Sequence, residues 1–171
     1  MSFSEPGASG CDPQAQCLSI HGGKPLIRIA VIDGQGGGIG TTIIKRIREV
    51  YSERTELWAL GTNAIATAQM MRAGANRGAT GENAIRRSAA QVDVIIGPIS
   101  VLISNSMMGE ITPSMAQSIG ESKAAKLLLP LTQEPVVIVG TTREPLPHMV
   151  DRLITEHLSH YVGPVLHAEQ D

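Results

Sequence analysis

The sequence predicts an α/β fold, a single three-layer domain with a doubly wound, mostly parallel five-stranded sheet of the Rossmann-like or flavodoxin-like kind. Aliphatic runs alternate along the chain with amphipathic segments of helical period, which is typical of successive strand and helix units. The length of 171 residues fits one domain, at roughly 150 residues per domain. Since 42% of the residues are hydrophobic but only 2% are aromatic, the core must be aliphatic.

Strands and helices are predicted in alternation. The first strand, residues 25–32, is an almost unbroken aliphatic run, as expected for a strand covered on both faces. Further strands are predicted at residues 56–60, 92–96, 126–131 and 136–139. Helices are predicted at residues 39–50, 64–73 and 84–90, from Pro113 after a Thr112 cap, and at residues 146–161. The strand order stays open between 3-2-1-4-5 and 2-1-3-4-5, and in both orders ligands bind at the carboxyl ends of the strands.

The two ends of the chain are predicted to lie outside the domain. Residues 1–25 are expected to be a disordered tail, residues 26–162 the Rossmann-like domain, and residues 163–171 a short C-terminal tail. Cys11 and Cys17 in the first tail match neither a zinc site nor a disulfide framework by their spacing. With no signal peptide and no long apolar run, we expect a cytoplasmic protein with no membrane partner.

The charge and the scarcity of aromatic side chains exclude a nucleic-acid partner. Fourteen basic and sixteen acidic residues leave a net charge of −2, which disfavours contact with a phosphate backbone. One Phe, one Trp and two Tyr cannot form the stacking platforms that single-stranded nucleic acid requires.

The main functional candidate is the glycine-rich segment at residues 34–40, between the first strand and the first helix. Glycine amides allow close approach of a phosphate, and the helix N-terminus adds partial positive charge. The alternative is a tight turn whose glycines serve packing alone. The predicted ligand-binding residues are Gly34, Gln35, Gly36, Gly37, Gly38, Ile39 and Gly40 of this loop, Thr62 and Asn63 after the second strand, and Arg77.

The spacing of Gly34, Gly38, Ile39 and Gly40 resembles the glycine motif of short-chain dehydrogenases, but the resemblance ends there. The catalytic pair of that family, a tyrosine with a lysine four residues later, is missing. No acid follows the second strand to hold a ribose, so ordinary NAD recognition is not predicted. NAD(P) and other nucleotides nevertheless remain candidate ligands.

Thr62 and Asn63 are equally suited to capping a helix and to contacting a ligand. Arg77 is the cation best placed to fork across two phosphate oxygens, or else a solvated loop arginine. Candidate acid/base residues are Asp33, Glu82 and Glu110. They are also interpretable as turn-forming or surface carboxylates, and Asp33 as a ligand for Mg²⁺ beside a phosphate. No resident metal site is predicted.

Five segments carry a resemblance to a known family: residues 29–40, 60–67, 74–85, 109–113 and 145–148. They include the strings AVIDGQGGGIG, LGTNAIAT, GANRGATGENAI and GEITP. With them the chain resembles a family of short bacterial proteins catalogued as a domain of unknown function. The resemblance spans about residues 26–158 and implies no particular activity.

The function predicted from the sequence is the binding of a nucleotide or phosphorylated metabolite through the glycine-rich loop. One alternative is a small enzyme that acts on a phosphorylated substrate with a carboxylate acid/base. Another is an assembly module that forms a homo-oligomer, with a homodimer expected. The apolar segment 99–108 and the six methionines between Met70 and Met149 suggest this last alternative. The sequence leaves open whether any reaction is catalysed.

Overall fold

A computed structural model describes residues 19–21 and 24–167, which contain a six-stranded sheet. Its strands in chain order are β1 Ser19–His21, β2 Lys24–Asp33, β3 Thr55–Gly61, β4 Arg77–Thr80, β5 Val94–Pro98 and β6 Ala125–Leu129. Strands β2 to β6 run parallel in the order β4-β3-β2-β5-β6, and β1 pairs antiparallel with the start of β2. The predicted fold class is therefore confirmed. When only the parallel strands are counted, with β2 as the first, their order is 3-2-1-4-5, one of the two orders considered.

Helices cover both faces of the sheet. They are α1 Gly38–Tyr51, α2 Ala64–Arg72, α3 Glu82–Ala89, α4 Pro113–Glu121, α5 Leu146–Arg152 and α6 Ser159–His167, with a π-helical stretch Leu153–Leu158 joining the last two. Ile29 and Val31 of β2 pack in one core layer with residues of α1 and of the helical segment from α5 to α6. Ile32 packs in the other core layer with residues of α3 and α4. Burial on both faces explains why residues 25–32 of β2 are an almost unbroken aliphatic run.

The prediction of a strand at residues 136–139 is wrong, and one strand of the structure, β4, was not predicted. Residues 136–138 have no regular secondary structure and Val139 begins a turn, because β-propensity is realised only beside a neighbouring strand. Conversely, β4 lies between the helices predicted at residues 64–73 and 84–90, where no strand is predicted, and pairs with β3 in spite of its weak propensity. Asn76 begins this pairing, since its amide donates to the Leu57 carbonyl at 2.8 Å and its side-chain oxygen accepts from the Leu57 amide at 2.7 Å.

The described fold extends slightly beyond residues 26–162. Strand β1 and the first residues of β2 lie before residue 26, and α6 runs to His167. Cys11 and Cys17 lie outside the described residues. No helix in the described ranges has the length and apolar character needed to cross a membrane.

Candidate functional site

A crevice opens where the chain leaves neighbouring strands toward opposite faces of the sheet. The loop after β2 leads to α1 on one face, and the chain after β5 turns through a 3₁₀ turn, Ile99–Leu102, to the other face. Such a switch point is where open parallel sheets bind ligands. The crevice here holds a pocket of about 200 Å³. Its lining residues are Asp33, Gly34, Gln35 and Ile39, then Pro98, Ser100 and Met107, and finally Leu131, Thr132 and Gln133.

Three of the five loop glycines are required by packing. A Cβ on Gly34 would lie 2.6 Å from the Thr62 Oγ1. Gly37 has a φ of +69° and its Cβ would lie 2.8 Å from the Ala66 Cα, so it is needed both for its left-handed backbone and for close contact with α2. Gly40 is pressed against Met70 and Asp33.

The other two loop glycines, Gly36 and Gly38, have no packing role among the described residues. Both are exposed, and a Cβ on either would meet nothing within 4 Å. Neither amide donates a hydrogen bond to the described residues. The loop is therefore part packing device and part open backbone, with the open part at the N-terminus of α1.

Asp33 ties the loop to the end of β2. Its two carboxylate oxygens accept from the Gly34 amide at 2.8 Å and from the Gly40 amide at 2.7 Å. It is only 4% exposed. Burial raises the pKa of this carboxyl above its ordinary value of 3.8, although the amide hydrogen bonds act in the opposite direction. The amides that the sequence offered to a phosphate are thus partly used by an internal carboxylate.

Glu110 reaches the end of β3 from a distant loop. Its Oε2 accepts from the Gln35 amide at 2.8 Å, from the Asn63 Nδ2 at 3.0 Å and from the Thr62 hydroxyl. Burial raises the pKa of Glu110, but these hydrogen bonds outweigh it and bring the pKa below its ordinary value of 4.5. Its second oxygen, Oε1, accepts no hydrogen bond from the described residues, so the carboxylate keeps one open acceptor.

The loop that carries Glu110 is held in an unusual backbone conformation. Asn105, Met107, Met108 and Gly109 have φ values of 64°, 54°, 57° and 89°. Left-handed geometry costs roughly 1–2 kcal/mol for a residue with a side chain, and such geometry tends to concentrate at functional sites. Hydrogen bonds from the Asn105 amide to the Ile111 carbonyl at 2.7 Å and from the Ser106 hydroxyl to the Ser100 carbonyl at 2.6 Å hold the loop in place.

Asn63 serves both as a cap and as a bridge. Its side-chain oxygen accepts from the Ala66 amide at 2.9 Å, which makes it the N-cap of α2. Its Nδ2 donates to the Gln35 carbonyl at 3.0 Å as well as to Glu110. Asn63 and Thr62 therefore position Glu110 beside the loop.

Neither Arg77 nor Glu82 lines the pocket of the crevice. Arg77 opens β4 opposite Trp58, three residues before the strand's carboxyl end, or roughly 10 Å along the strand. Its Nε lies 2.8 Å from the Glu56 carboxylate, and its guanidinium lies over the Trp58 ring. Glu82 accepts from the Thr112 hydroxyl at 2.7 Å. Asp33 and Glu110, in contrast, bind the amides of adjacent residues in the same loop.

Sequence reasoning missed the segment that covers the crevice. Gln133 and Gln35 exchange side-chain hydrogen bonds at 3.3 Å, and the Glu134 carboxylate accepts from the Met107 amide at 3.2 Å. No periodicity or motif marks Gln133 and Glu134, because they reach the crevice only through the adjacency of β5 and β6. Within the described residues, no three His, Cys, Asp or Glu side chains are grouped closely enough to hold a metal ion.

The chain is similar to a protein family and to solved structures of other proteins. The model of a family described as a domain of unknown function (DUF3842) matches residues 28–162. No curated protein matches. A solved structure of a universal stress protein in complex with cAMP is 18% identical, with a TM-score of 0.35, and is aligned over 58% of this chain and 94% of that chain.

Proposed function

The chain belongs to this family of unknown function, and we propose that it binds a nucleotide, or a similar phosphorylated metabolite with free sugar hydroxyls, across the glycine-rich loop. The observation that carries the proposal is the position of Glu110. In dinucleotide-binding folds an acid at the end of the strand beside the glycine loop accepts hydrogen bonds from a ribose. The sequence has no acid after β3, but Glu110 occupies that position with Oε1 open.

The two open glycines support a phosphate position next to the ribose position. Gly36 and Gly38 offer unpaired amides at the N-terminus of α1, in space that no described side chain fills. The pocket of about 200 Å³ between the loop and the segments after β5 and β6 receives the part of the ligand other than the phosphate and the sugar. Its lining combines the side chains of Gln35 and Gln133 with the apolar Ile39, Met107 and Leu131.

The charge of the site limits how anionic the ligand is. Asp33 and Glu110 lie beside the loop, and the pocket lining contains no Lys or Arg. A single phosphate or a diester therefore fits better than a triphosphate, because like charges at close range are repulsive. Arg77 is not used in this arrangement, since it is engaged with Glu56 lower on the sheet.

Ligand binding is tested by thermal shift and calorimetry with NAD(H), NADP(H), ATP, GTP, cyclic nucleotides, CoA and their 2′-deoxy counterparts where these exist. We expect stabilisation by at least one ribose ligand, with affinity reduced about tenfold or more in Glu110→Gln and in the 2′-deoxy ligand, since one lost hydrogen bond to a charged group costs about 1.5–3 kcal/mol. Gly38→Val should abolish binding by filling the space above the loop.

Gly120→Val is the matched control for Gly38→Val. Gly120 is also an exposed helical glycine whose Cβ would meet nothing within 4 Å, but it lies on α4. Binding should survive in this variant. The proposal is refuted if no ligand of the panel shifts the melting temperature, or if Gly38→Val and Gly120→Val bind equally well.

A carboxylate-catalysed reaction on the same ligand is a second candidate, favoured by one observation. Asp33 and Glu110 flank the same loop and have pKa values shifted in opposite directions, as expected of an acid and a base. Turnover of any bound ligand, followed by chromatography, should then fall by at least about 100-fold in Glu110→Gln. Unchanged turnover in that variant would remove the candidate.

A further inference from the structure

An exposed aliphatic segment follows β6 and has no function in the site described above. Val136, Val137 and Val139 are 44%, 87% and 94% exposed. Contiguous apolar exposure of this kind marks an interaction surface. The amides of residues 137–139 donate no hydrogen bond to the described residues. We call residues 136–139 the valine segment.

The edge strand that precedes the valine segment, β6, has no neighbour on its outer side within the described sheet. The strand order places β4 and β6 at the two edges. β4 is short and exposed and begins with Arg77, which are devices that protect an edge from pairing with another chain. β6 has the sequence Ala-Lys-Leu-Leu-Leu, with Lys126 as its one charge. Its outer edge is therefore the less protected of the two.

A pocket of about 470 Å³ runs along β6. Leu127, Leu128 and Pro130 lie on one side of it, and Gly140 and Thr141, which directly follow the valine segment, lie on the other. Unfilled space therefore borders β6, and the valine segment directly precedes the residues on the far side of that space.

We propose that two copies of the chain form a two-fold symmetric dimer in which the valine segment of each copy pairs with the β6 edge of the other. One chain presents both complementary elements, so a single exchange closes both open edges and buries both valine segments. The valine segment is uncharged, so no like-charge repulsion opposes the pairing.

The valine segment does not pair with β6 of its own copy. Gln133 and Glu134 are fastened over the crevice by hydrogen bonds to Gln35 and to the Met107 amide. These contacts fix the chain immediately before the valine segment, and the Thr141 hydroxyl, which donates to the Ile138 carbonyl at 2.8 Å, fixes it at the other end. A second copy is therefore the partner that fits, rather than a hairpin within one copy.

The oligomeric state is measured by light scattering and sedimentation from roughly 1 to 100 μM, a range that covers micromolar dissociation constants. We expect a dimer whose dissociation constant rises at least about 100-fold in the double variant Val137→Lys, Val139→Lys. Ile65→Lys is the control, because Ile65 is 67% exposed on α2 and lies far along the chain from both elements. A monomer over the whole range, or a dimer equally stable in the double variant, overturns the proposal.

Hydrogen exchange identifies the interface. The amides of Lys126 and Leu128, which lie on the edge of β6 away from β5, and the amides of residues 137–139 should become protected together as the concentration rises, and both sets should lose protection in the double variant. Protection of these amides in a monomer would show pairing within one copy. A dimer in which they exchange freely would place the interface elsewhere. Each of these two results overturns the proposal.

Discussion

Replacement of Glu110 tests the central contact of the site. Its Oε2 accepts hydrogen bonds from the Gln35 amide, the Thr62 hydroxyl and the Asn63 side chain, and so it ties its own loop to two other segments, the glycine-rich loop and the end of β3. A hydrogen bond to a charged group contributes about 1.5–3 kcal/mol, which gives an upper limit of roughly 4.5–9 kcal/mol for three. The donors are half-buried, so water replaces part of what is lost.

We therefore expect Glu110→Ala to lower the free energy of unfolding by about 2–4 kcal/mol, and Glu110→Gln by about 1–2 kcal/mol because its amide oxygen still accepts. For a domain of this size, each kcal/mol lowers the melting temperature by roughly 2–4 °C. Urea unfolding followed by circular dichroism measures both variants. Glu121→Gln is the control, since Glu121 is exposed and, among the described residues, accepts a hydrogen bond from Gln117 alone, one helical turn away.

The pH dependence separates this contact from a general loss of packing. The folded-state pKa of Glu110 lies below 4.5, so the carboxylate stabilises the fold above the unfolded value, and this contribution is lost as the pH falls through the folded value. The difference between wild type and Glu110→Gln should be largest at neutral pH and shrink below about pH 4.5. A Glu110→Gln variant as stable as wild type at pH 7, or a difference that grows on acidification, would refute the reasoning.

Three further results are expected. Gly37→Ala should lose about 2–4 kcal/mol of stability, from its left-handed backbone and its contact with α2, whereas Gly36→Ala should stay within about 0.5 kcal/mol of wild type; equal effects in urea unfolding would contradict this. Burial raises the pKa of Asp33, so its contribution to stability should decline as the pH rises from about 3.8 through the folded-state pKa; a carboxyl ¹³C titration below 3.8 would contradict it. Arg77→Ala should cost about 1–3 kcal/mol because it leaves the buried Glu56 carboxylate without its guanidinium; adding Glu56→Gln should restore part of that loss, and a purely additive double variant would argue against the pairing.

The glycine-rich loop shows how far a motif can be interpreted from sequence. Its place between a buried strand and a helix is a local property, and the prediction of strand, loop and helix there is confirmed. The division into packing glycines and open glycines is not local. Gly37 is crowded by Ala66 and Gly40 by Met70, both on α2, so only the assembled fold decides which glycine is required for packing.

The sheet edges show the same limit in the strands. Residues 136–139 have the β-branched composition of a strand but no neighbouring strand to pair with. β4 lacks that composition but pairs with β3. Strand formation depends on a neighbour, and the neighbour of β4 is placed by the winding of the chain around the sheet.

What the sequence by itself determined is the layered α/β fold, because aliphatic periodicity, caps and loop glycines act over a few neighbouring residues. What only the tertiary structure decided is the chemistry of the site. Glu110 lies 75 positions from Gln35 along the chain, yet it accepts the Gln35 amide at 2.8 Å. A contact of that kind depends on the strand order and on the path of the loop that carries Glu110, in which several residues have positive φ. No local sequence pattern encodes either.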